Sequence, residues 1–428
     1  MRKDSPWQSI LFLVVTTFTL VMMTKGQTSL QQSDDFVSFN NLGLRYSNEG
    51  HYDKAVEAYR RALSIRPDLA EIHFNLGTAF YTSGRFDEAI RTLKRATSLK
   101  PDYALAHNNL GLALNDSGRF TEAVEAYKRA LKLKPNLAEA HYNLGTAYYN
   151  LRRYEEAIEH LQRAIRLVPT FVVASNILGM AYIDSGHLDE AVETLKRVIS
   201  IKADIPETHY NLGYAYSKSN QHNEAISALN RALSLDPDYA LAHYLLGILC
   251  AKAGDYKQAV ESLGRSIRLS PDMALSHSNL GYVYYKMGRY EEAAESCRRA
   301  ILLQPDLAEA HNYLGVVYYT LGRHKEAIEF FKRAIALNPD YAEAHYSLGM
   351  AFANSGNHKL AVESLKRAVS FQPEWADAHY NLGILYLILK DRGAALAQHR
   401  LLRGINEDRA RQFLESLDAG YVVNVNPR

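Results

Sequence analysis

The sequence predicts an all-α solenoid of antiparallel helix pairs, and two regularities predict it. Glycine recurs eleven times with a constant step of 34 residues, from Gly43 to Gly383, without an insertion. Leucine precedes each of these glycines, and alanine follows each by twelve residues, from Ala55 to Ala395. Self-similarity at a fixed period is typical of proteins in which each unit packs only on its neighbours. The register defines eleven repeats: 36–69, 70–103, 104–137, 138–171, 172–205, 206–239, 240–273, 274–307, 308–341, 342–375 and 376–409.

Two breaks divide each repeat, numbered here so that its recurring glycine is position 8. Proline at position 32 closes nine of the ten repeats that have a successor, at Pro67, Pro101, Pro135, Pro169, Pro237, Pro271, Pro305, Pro339 and Pro373. Position 15 is usually glycine, at Gly50, Gly84, Gly118, Gly186, Gly254, Gly288, Gly322 and Gly356. Because proline cannot continue a helix and glycine favours a turn, each repeat is predicted to contain a helix A and a helix B.

The pattern resembles the tetratricopeptide repeat (TPR). Its marks are leucine-glycine, an aromatic residue three positions later, such as Tyr46 or Phe80, then alanine and proline. The resemblance implies a right-handed superhelix in which helix A lines a concave groove and helix B lies outside. Departures occur in repeat 5 at Ser175, Ile177 and Ala203, and in repeat 11 at Lys390, His399 and Leu402. Those in repeat 11 are typical of a terminal capping unit.

The N-terminal segment 1–26 is predicted to be a signal peptide. Arg2 and Lys3 precede an apolar run over residues 10–23, and small residues follow it. The protein is therefore expected to be exported, either periplasmic or secreted. The apolar run is shorter than the roughly 20 residues that a transmembrane helix needs, so a membrane anchor through residues 10–23 is the alternative. Residues 27–35 form a linker.

The C-terminal segment 406–418 is predicted to be a capping helix, followed by a tail over residues 419–428. Asn406 can cap the first turn of such a helix. Its apolar face would consist of Ala410, Phe413, Leu414 and Leu417. This face would cover the otherwise open end of repeat 11.

Composition and motifs narrow the function. Without residues 1–26, basic and acidic residues are equal in number, which disfavours nucleic-acid binding. The chain has no catalytic nucleophile elbow, phosphate loop, dinucleotide fingerprint or zinc-protease motif. Cys250 and Cys297 lie at core positions of different repeats and predict no disulfide framework. We therefore predict a protein without enzymatic activity, metal or cofactor.

Helical periodicity assigns the faces of helix A. The leucine, glycine and alanine positions form the core stripe, whereas positions 2, 5, 6, 9, 12 and 13 point away from it. Tyrosines concentrate at these positions, and six are predicted to line a peptide-binding groove: Tyr142, Tyr149, Tyr210, Tyr214, Tyr282 and Tyr285. The alternative is that the tyrosines only bridge adjacent A helices. Position 13 also carries Lys218, Lys252 and Lys286, which predict that the bound segment is acidic there.

Asparagine recurs at position 6, as Asn41, Asn75, Asn109, Asn143, Asn211, Asn279 and Asn381. Because asparagine is a poor helix former, alanine at these exposed positions is expected to raise stability. Here the sequence resembles the TPR region of O-GlcNAc transferases, for example in residues 106–111. The resemblance implies that the position-6 asparagines hold the backbone of an extended polypeptide. The series is interrupted at Ile177, Leu245, Tyr313 and Ser347, and only 19 residues follow Arg409, so transferase activity is not implied.

Histidine recurs at position 4 in nine repeats: His73, His107, His141, His209, His243, His277, His311, His345 and His379. Equivalent positions in neighbouring repeats are separated by two packed helices at ~8–10 Å each, whereas zinc holds its imidazole nitrogens about 2 Å from one centre. We therefore predict a packing role rather than a metal site.

These observations predict a non-enzymatic scaffold that binds extended segments of client proteins, with no nucleic acid as partner. Two alternatives remain. In the first, the chain is a recognition subunit of a separately encoded enzyme, such as a glycosyltransferase. In the second, it is a structural assembly factor of an envelope complex. Contact with a membrane is expected only if the N-terminal segment stays uncleaved.

Overall fold

A computed structural model describes residues 33–418, with side chains from 35 to 416; the predicted signal peptide, most of the linker and the tail lie outside these ranges. The described residues form helices without any strand. The helices are α1 (Ser33–Asn48), α2 (Tyr52–Ile65), α3 (Ala70–Thr82), α4 (Phe86–Leu99), α5 (Ala104–Asp116), α6 (Phe120–Leu133), α7 (Ala138–Asn150), α8 (Tyr154–Leu167), α9 (Val172–Ser185), α10 (Leu188–Ile201), α11 (Pro206–Lys218), α12 (His222–Leu235), α13 (Ala240–Lys252), α14 (Tyr256–Leu269), α15 (Ala274–Lys286), α16 (Tyr290–Leu303), α17 (Ala308–Thr320), α18 (His324–Leu337), α19 (Ala342–Asn354), α20 (His358–Phe371), α21 (Ala376–Ile388), α22 (Arg392–Ile405) and α23 (Glu407–Asp418).

Odd-numbered helices up to α21 are the predicted A helices, and even-numbered helices are the B helices. From repeat 2 onwards, helix A begins at position 1 in every repeat and ends at position 13, except in repeat 5, where it ends at position 14. The prediction of an all-α fold is therefore confirmed. The chain divides into two compact units, Met1–Asn220 and Gln221–Arg428. Within each unit, consecutive A and B helices pack against one another.

The turn between helices A and B depends on position 15, which is left-handed in all eleven repeats. Eight of these residues are glycines with φ between 74° and 85°. The other three are Arg152, Asn220 and Lys390, with φ of 58°, 59° and 61°. Glycine adopts this conformation without a steric penalty, whereas a side chain makes it unfavourable. The mid-repeat glycines are therefore helix-terminating residues.

The position-8 glycines allow helices A and B to approach closely. A Cβ atom built on Gly111 would lie 2.5 Å from the Tyr127 ring, and one on Gly145 would lie 2.7 Å from the side chain of Leu161. Both partners are at position 24 of helix B and are buried. The constant glycine thus reflects a contact that leaves no space for a methyl group.

Helix α23 covers the end of repeat 11. It begins after Asn406, whose Oδ1 accepts a 3.0 Å hydrogen bond from the backbone N–H of Arg409. Phe413 is fully buried and occupies the space beside Gly383 that position 24 fills in other repeats. Position 24 of repeat 11 is His399, which stacks on Phe413 with ring centroids 6.1 Å apart. Leu414, expected in the apolar face, is 41% exposed.

Within residues 33–418, no helix combines the length and apolar character that a membrane span requires. The apolar run over residues 10–23 lies outside this part of the chain.

Candidate functional site

The predicted peptide-binding residues lie on A helices of both units. In the first unit they are on α1, α3, α5, α7 and α11, and in the second on α13, α15 and α21. The two sets are described separately below.

In the first unit, amide side chains form a continuous network across three repeats. Asn143 Nδ2 donates to Asn108 Oδ1 at 3.1 Å, and Asn108 Nδ2 donates to Asn109 Oδ1 at 3.4 Å. Asn109 Nδ2 donates to Thr78 Oγ1 at 3.1 Å, and this hydroxyl donates to the carbonyl oxygen of Phe74 at 2.9 Å. The predicted site asparagines therefore join α3, α5 and α7 through side-chain hydrogen bonds.

Several position-6 asparagines are more buried than the sequence indicated. Asn143 is 9% exposed and Asn211 is 7% exposed, whereas Asn41 is exposed and Asn75 is half-buried. Asn75 Nδ2 donates to Asn40 Oδ1 of the preceding repeat at 3.1 Å. The expectation that all these positions face away from packed surfaces is wrong at Asn143 and Asn211, because adjacent A helices pack close enough to cover them.

The same geometry recurs in the second unit. Asn279 Nδ2 donates to Tyr244 OH at 3.4 Å and to the carbonyl oxygen of Leu275 at 2.9 Å. Asn381 Nδ2 donates to Tyr346 OH at 2.9 Å. In both units, a position-6 amide thus binds position 5 of the preceding repeat. Each such bond uses one amide N–H and fixes the orientation of the side chain.

The tyrosines of the first unit make contacts both between repeats and within them. Tyr149 OH donates to Asp184 Oδ2 at 2.7 Å, in the next repeat, and burial raises the pKa of its phenol. The Tyr142 ring packs on Phe171 with centroids 5.1 Å apart. Tyr210 and Tyr214 stack in parallel at 6.5 Å. The alternative, in which the tyrosines bridge adjacent A helices, therefore applies to the hydroxyl group of Tyr149. The ring of Tyr149 is still partly exposed.

In the second unit, Tyr282 packs on Tyr313 with ring centroids 5.2 Å apart, and Tyr285 packs on Tyr290, the first residue of α16, at 6.0 Å. The Lys286 ammonium lies 5.8 Å from the centre of the Tyr282 ring. In the first unit, Lys218 lies 5.2 Å from the Tyr214 ring in the same way. A lysine over an aromatic face is held by a cation–π interaction.

The three predicted lysines, Lys218, Lys252 and Lys286, are exposed and form no ion pair within residues 35–416. Lys218 belongs to the first unit, and Lys252 and Lys286 belong to the second.

All nine position-4 histidines make one shared contact. Each Nε2 lies 2.9–3.2 Å from the carbonyl oxygen of the residue six places earlier. This residue is proline for eight of the histidines and Ala203 for His209. Because a carbonyl only accepts, Nε2 carries the proton. The histidines therefore fasten helix A to the turn that precedes it.

Neither thiol lies in an arrangement suited to chemistry. Cys250 and Cys297 are buried and unpaired, and burial raises the pKa of Cys297 to about 12. A thiol of such high pKa is a poor nucleophile at neutral pH. Across the described residues, no group of three or more histidine, cysteine, aspartate or glutamate side chains is placed to hold a metal.

One aromatic contact within repeats was not predicted from the sequence. Position 5 packs on position 34, the residue just before the next helix A, in three repeats: Phe74 on Tyr103, Tyr142 on Phe171 and Tyr346 on Trp375, with centroids 4.5–5.1 Å apart. The recurrence of aromatic residues at position 34 was the available signal. This contact fills the surface between neighbouring A helices.

Sequence comparisons match TPR families over most of the chain. Residues 27–203 match the family described as the C-terminal domain of cilia and flagella-associated protein 70. Residues 210–274 and 278–342 match one tetratricopeptide repeat family, and residues 318–382 match another. No curated protein sequence matches the chain significantly.

One solved structure shows the same fold, and two others align with lower scores. A chain in the crystal structure of the APC/C hetero-tetramer Cut9–Hcn1 aligns with a TM-score of 0.53 at 15% identity, covering 89% of this chain and 96% of that chain. Yeast Tom70 aligns with a TM-score of 0.43 at 15% identity, over 91% and 96%. YrrB, described as a TPR protein with an unusual peptide-binding site, aligns with a TM-score of 0.37 at 23% identity, over 43% and 95%.

The helix pairs, the family matches and the likeness to the Cut9–Hcn1 chain agree with one another. No catalytic domain is evident in the described residues. The finer resemblance, to the repeats of O-GlcNAc transferases, stays a prediction. The chain is an all-α solenoid of tetratricopeptide repeats.

Proposed function

We propose that this protein is a non-enzymatic scaffold that binds extended segments of partner proteins along the A-helix face of its units. TPR proteins bind protein or peptide partners, which supports the general class. The observation that carries the specific proposal is the shared orientation of Asn75, Asn143, Asn279 and Asn381, each bonded to position 5 of the preceding repeat. A row of amides fixed in advance loses little entropy when a ligand binds.

These amides suit an extended backbone. Packed helices lie about 8–10 Å apart and an extended chain advances about 3.3 Å per residue, so Asn75 and Asn143, which are two repeats apart, would meet ligand residues roughly five or six apart. Within the described residues, Asn75, Asn143 and Asn381 make no hydrogen bond besides the one to the preceding repeat. An amide has two N–H donors and an acceptor oxygen, so each can still pair with a peptide N–H and C=O.

The tyrosine rings supply the apolar part of the surface. Tyr210, Tyr214, Tyr282 and Tyr285 are partly exposed and are held against neighbouring aromatic or basic side chains. Rigid tyrosines give large contact areas at low entropic cost and tolerate varied ligand sequences. The exposed Lys218, Lys252 and Lys286 favour acidic residues in the part of the segment that passes them.

Backbone recognition is tested with peptides selected from a random library on the immobilised full-length protein. Each selected peptide is compared with versions methylated on successive backbone nitrogens, which lose one donor without changing a side chain. We expect methylation of the few backbone nitrogens that meet an amide to weaken binding about two- to tenfold, the worth of one hydrogen bond, and methylation of the nitrogens between them to have no effect. Equal affinity for all methylated versions would show that side chains, not the backbone, are recognised.

The two alternative roles predict different bound species. A recognition subunit would form a stoichiometric complex with one enzyme, and an assembly factor would bind copies of itself or fixed members of a complex. Size-exclusion chromatography with light scattering of the purified protein distinguishes self-association from a free binding face. A monomer that binds many unrelated selected peptides supports the scaffold.

We also propose that the protein is exported through residues 1–26. The support is the basic start and apolar run of that segment. N-terminal sequencing of the mature protein tests this: cleavage near residue 26 is expected, and an intact N-terminus in the membrane fraction would favour the anchor through residues 10–23.

A further inference from the structure

Repeat 9 carries a transposed residue pair. Repeats 4, 6 and 11 read His-Tyr-Asn-Leu-Gly over positions 4–8, whereas repeat 9 reads His-Asn-Tyr-Leu-Gly over residues 311–315. Position 5, which is aromatic in repeats 4 and 10, is therefore Asn312, and position 6 is Tyr313. The smaller side chain at position 5 removes the aromatic contact with position 34.

A cleft of about 230 Å³ lies at this place, entirely within the second unit. Its walls are mainly aromatic and come from α15, α17, α19 and the turn before α21. Tyr282 packs on Tyr313 at 5.2 Å, and Tyr346 packs on Trp375 at 4.5 Å. The cleft thus combines flat ring surfaces on two sides.

Two oxygen acceptors at the cleft have no cationic partner within residues 35–416. Asn312 is 4% exposed; its Nδ2 donates to Tyr341 OH at 3.5 Å, and its buried Oδ1 has no hydrogen-bond partner in the described residues. Glu343 lines the cleft and accepts from Gln372 Nε2 at 3.3 Å. Glu343 forms no ion pair within residues 35–416. An unsatisfied buried oxygen and an unpaired carboxylate both favour a ligand that donates hydrogen bonds and carries positive charge.

We infer that this cleft binds an arginine side chain of the extended segment, with the guanidinium between the aromatic walls and within reach of Glu343 and Asn312. The inference rests on the proposed function and names one ligand residue for it. A guanidinium is planar, stacks on aromatic faces and donates up to five hydrogen bonds, which matches both features of the cleft. Lys286 already covers one face of Tyr282, so the stacking surface comes from Tyr313, Tyr346 and Trp375.

The test uses Trp375, one of two tryptophans in the chain, as an internal probe. In full-length protein carrying Trp7→Phe, the emission comes from Trp375 alone. The probes are N-acetyl-arginine methylamide and the citrulline compound of the same shape, which is neutral. We expect a saturable change of the emission with arginine and roughly two- to thirtyfold weaker binding of citrulline, the fold-change that corresponds to a cation–π contact of about 0.5–2 kcal/mol.

Two variants locate the effect. Glu343→Gln should weaken arginine binding about two- to fivefold, as expected for an exposed charge pair. The control is Glu139→Gln, at the same position of repeat 4, which should leave binding unchanged. Asn312→Tyr restores the aromatic side chain of repeats 4 and 10 and should fill the cleft, abolishing the response to arginine.

Each outcome has one meaning. Equal binding of citrulline and arginine would overturn the assignment of a cation site, and so would an unchanged affinity in Glu343→Gln. No saturable response to arginine would overturn the cleft as a binding site. Selected peptides that bind normally without any preference for arginine would reject this inference alone and leave the scaffold proposal standing.

Discussion

Asn143 donates a 3.1 Å hydrogen bond from Nδ2 to Oδ1 of Asn108, across the boundary between repeats 3 and 4. The two side chains are 9% and 6% exposed. Residues 35 positions apart in the sequence are thereby joined on the A-helix face. The asparagines predicted to contact a ligand therefore also hold neighbouring repeats together, and each role can be measured separately.

Loss of this bond should destabilise the protein. Asn143→Ala leaves the buried Asn108 Oδ1 without its donor, and we expect the free energy of unfolding to fall by about 1–3 kcal/mol. Asn150→Ala, at the exposed last residue of the same helix, gives the control, because it makes the same substitution without removing a hydrogen bond between repeats. Chemical denaturation measures both. A more stable Asn143→Ala protein would mean that the side chain is solvated as the sequence first indicated.

The left-handed turn in repeat 4 offers a gain in stability. Arg152 has a φ of 58° where most repeats have glycine, so Arg152→Gly should raise the free energy of unfolding by about 1 kcal/mol. Gly118→Ala, at the equivalent turn of repeat 3, should lower it by about 1–2 kcal/mol although the site has open space around it. If both changes were neutral, backbone conformation at position 15 would not limit stability.

Helix α23 should contribute to stability through one side chain. Phe413 is fully buried beside Gly383, so Phe413→Ala should cost about 3–5 kcal/mol. Leu414→Ala, one residue further and 41% exposed, should change the free energy of unfolding by less than about 0.5 kcal/mol. Thermal unfolding of the two variants compares them directly. Similar small effects for both would show that α23 does not cap repeat 11.

Two facing histidines should make the protein sensitive to acid. His141 Nδ1 lies 3.1 Å from His160 Nδ1, while His141 Nε2 is committed to the carbonyl oxygen of Pro135. Burial lowers the pKa of both imidazoles; for His141, Arg163 and Arg166 add to this effect while the Pro135 bond and Glu159 oppose it. For His160, Lys128 and the neighbouring His141 lower the pKa further, and Glu159 and Glu156 oppose them.

Because the folded-state pKa values are lowered, the neutral pair stabilises the fold above the unfolded pKa of about 6.5, and this contribution is lost as pH falls through the folded values. We expect the melting temperature to fall between about pH 7.5 and about pH 5.5, with a smaller fall in His160→Gln. The difference between the two proteins isolates the pair from other histidines. Parallel pH profiles would show that the pair does not titrate on unfolding.

The sequence was sufficient for features that one repeat determines. Position 15 and the glycine at position 8 depend on local backbone conformation and on one partner sixteen residues away, as with Gly111 and Tyr127, so periodicity predicts them. The sequence did not predict the hydrogen bonds between repeats, because helix periodicity does not show that Asn143 is covered by the neighbouring A helix. The cleft in repeat 9 depends on Asn312 and Tyr313 standing in the reverse of the usual order, near Trp375. This reversal can be interpreted only when the aromatic contact between positions 5 and 34 is known.

The asparagines of the A helices are proposed to bind the backbone of an extended partner. The most direct measurement is the affinity of a library-selected peptide for Asn75→Ala and Asn381→Ala, one in each unit, with Asn150→Ala as control and unfolding curves recorded on the same samples. The account predicts that binding weakens about two- to tenfold in at least one of the two variants and is unchanged in the control. If both variants lose stability yet bind every selected peptide with wild-type affinity, the asparagines are packing residues and the claim is contradicted.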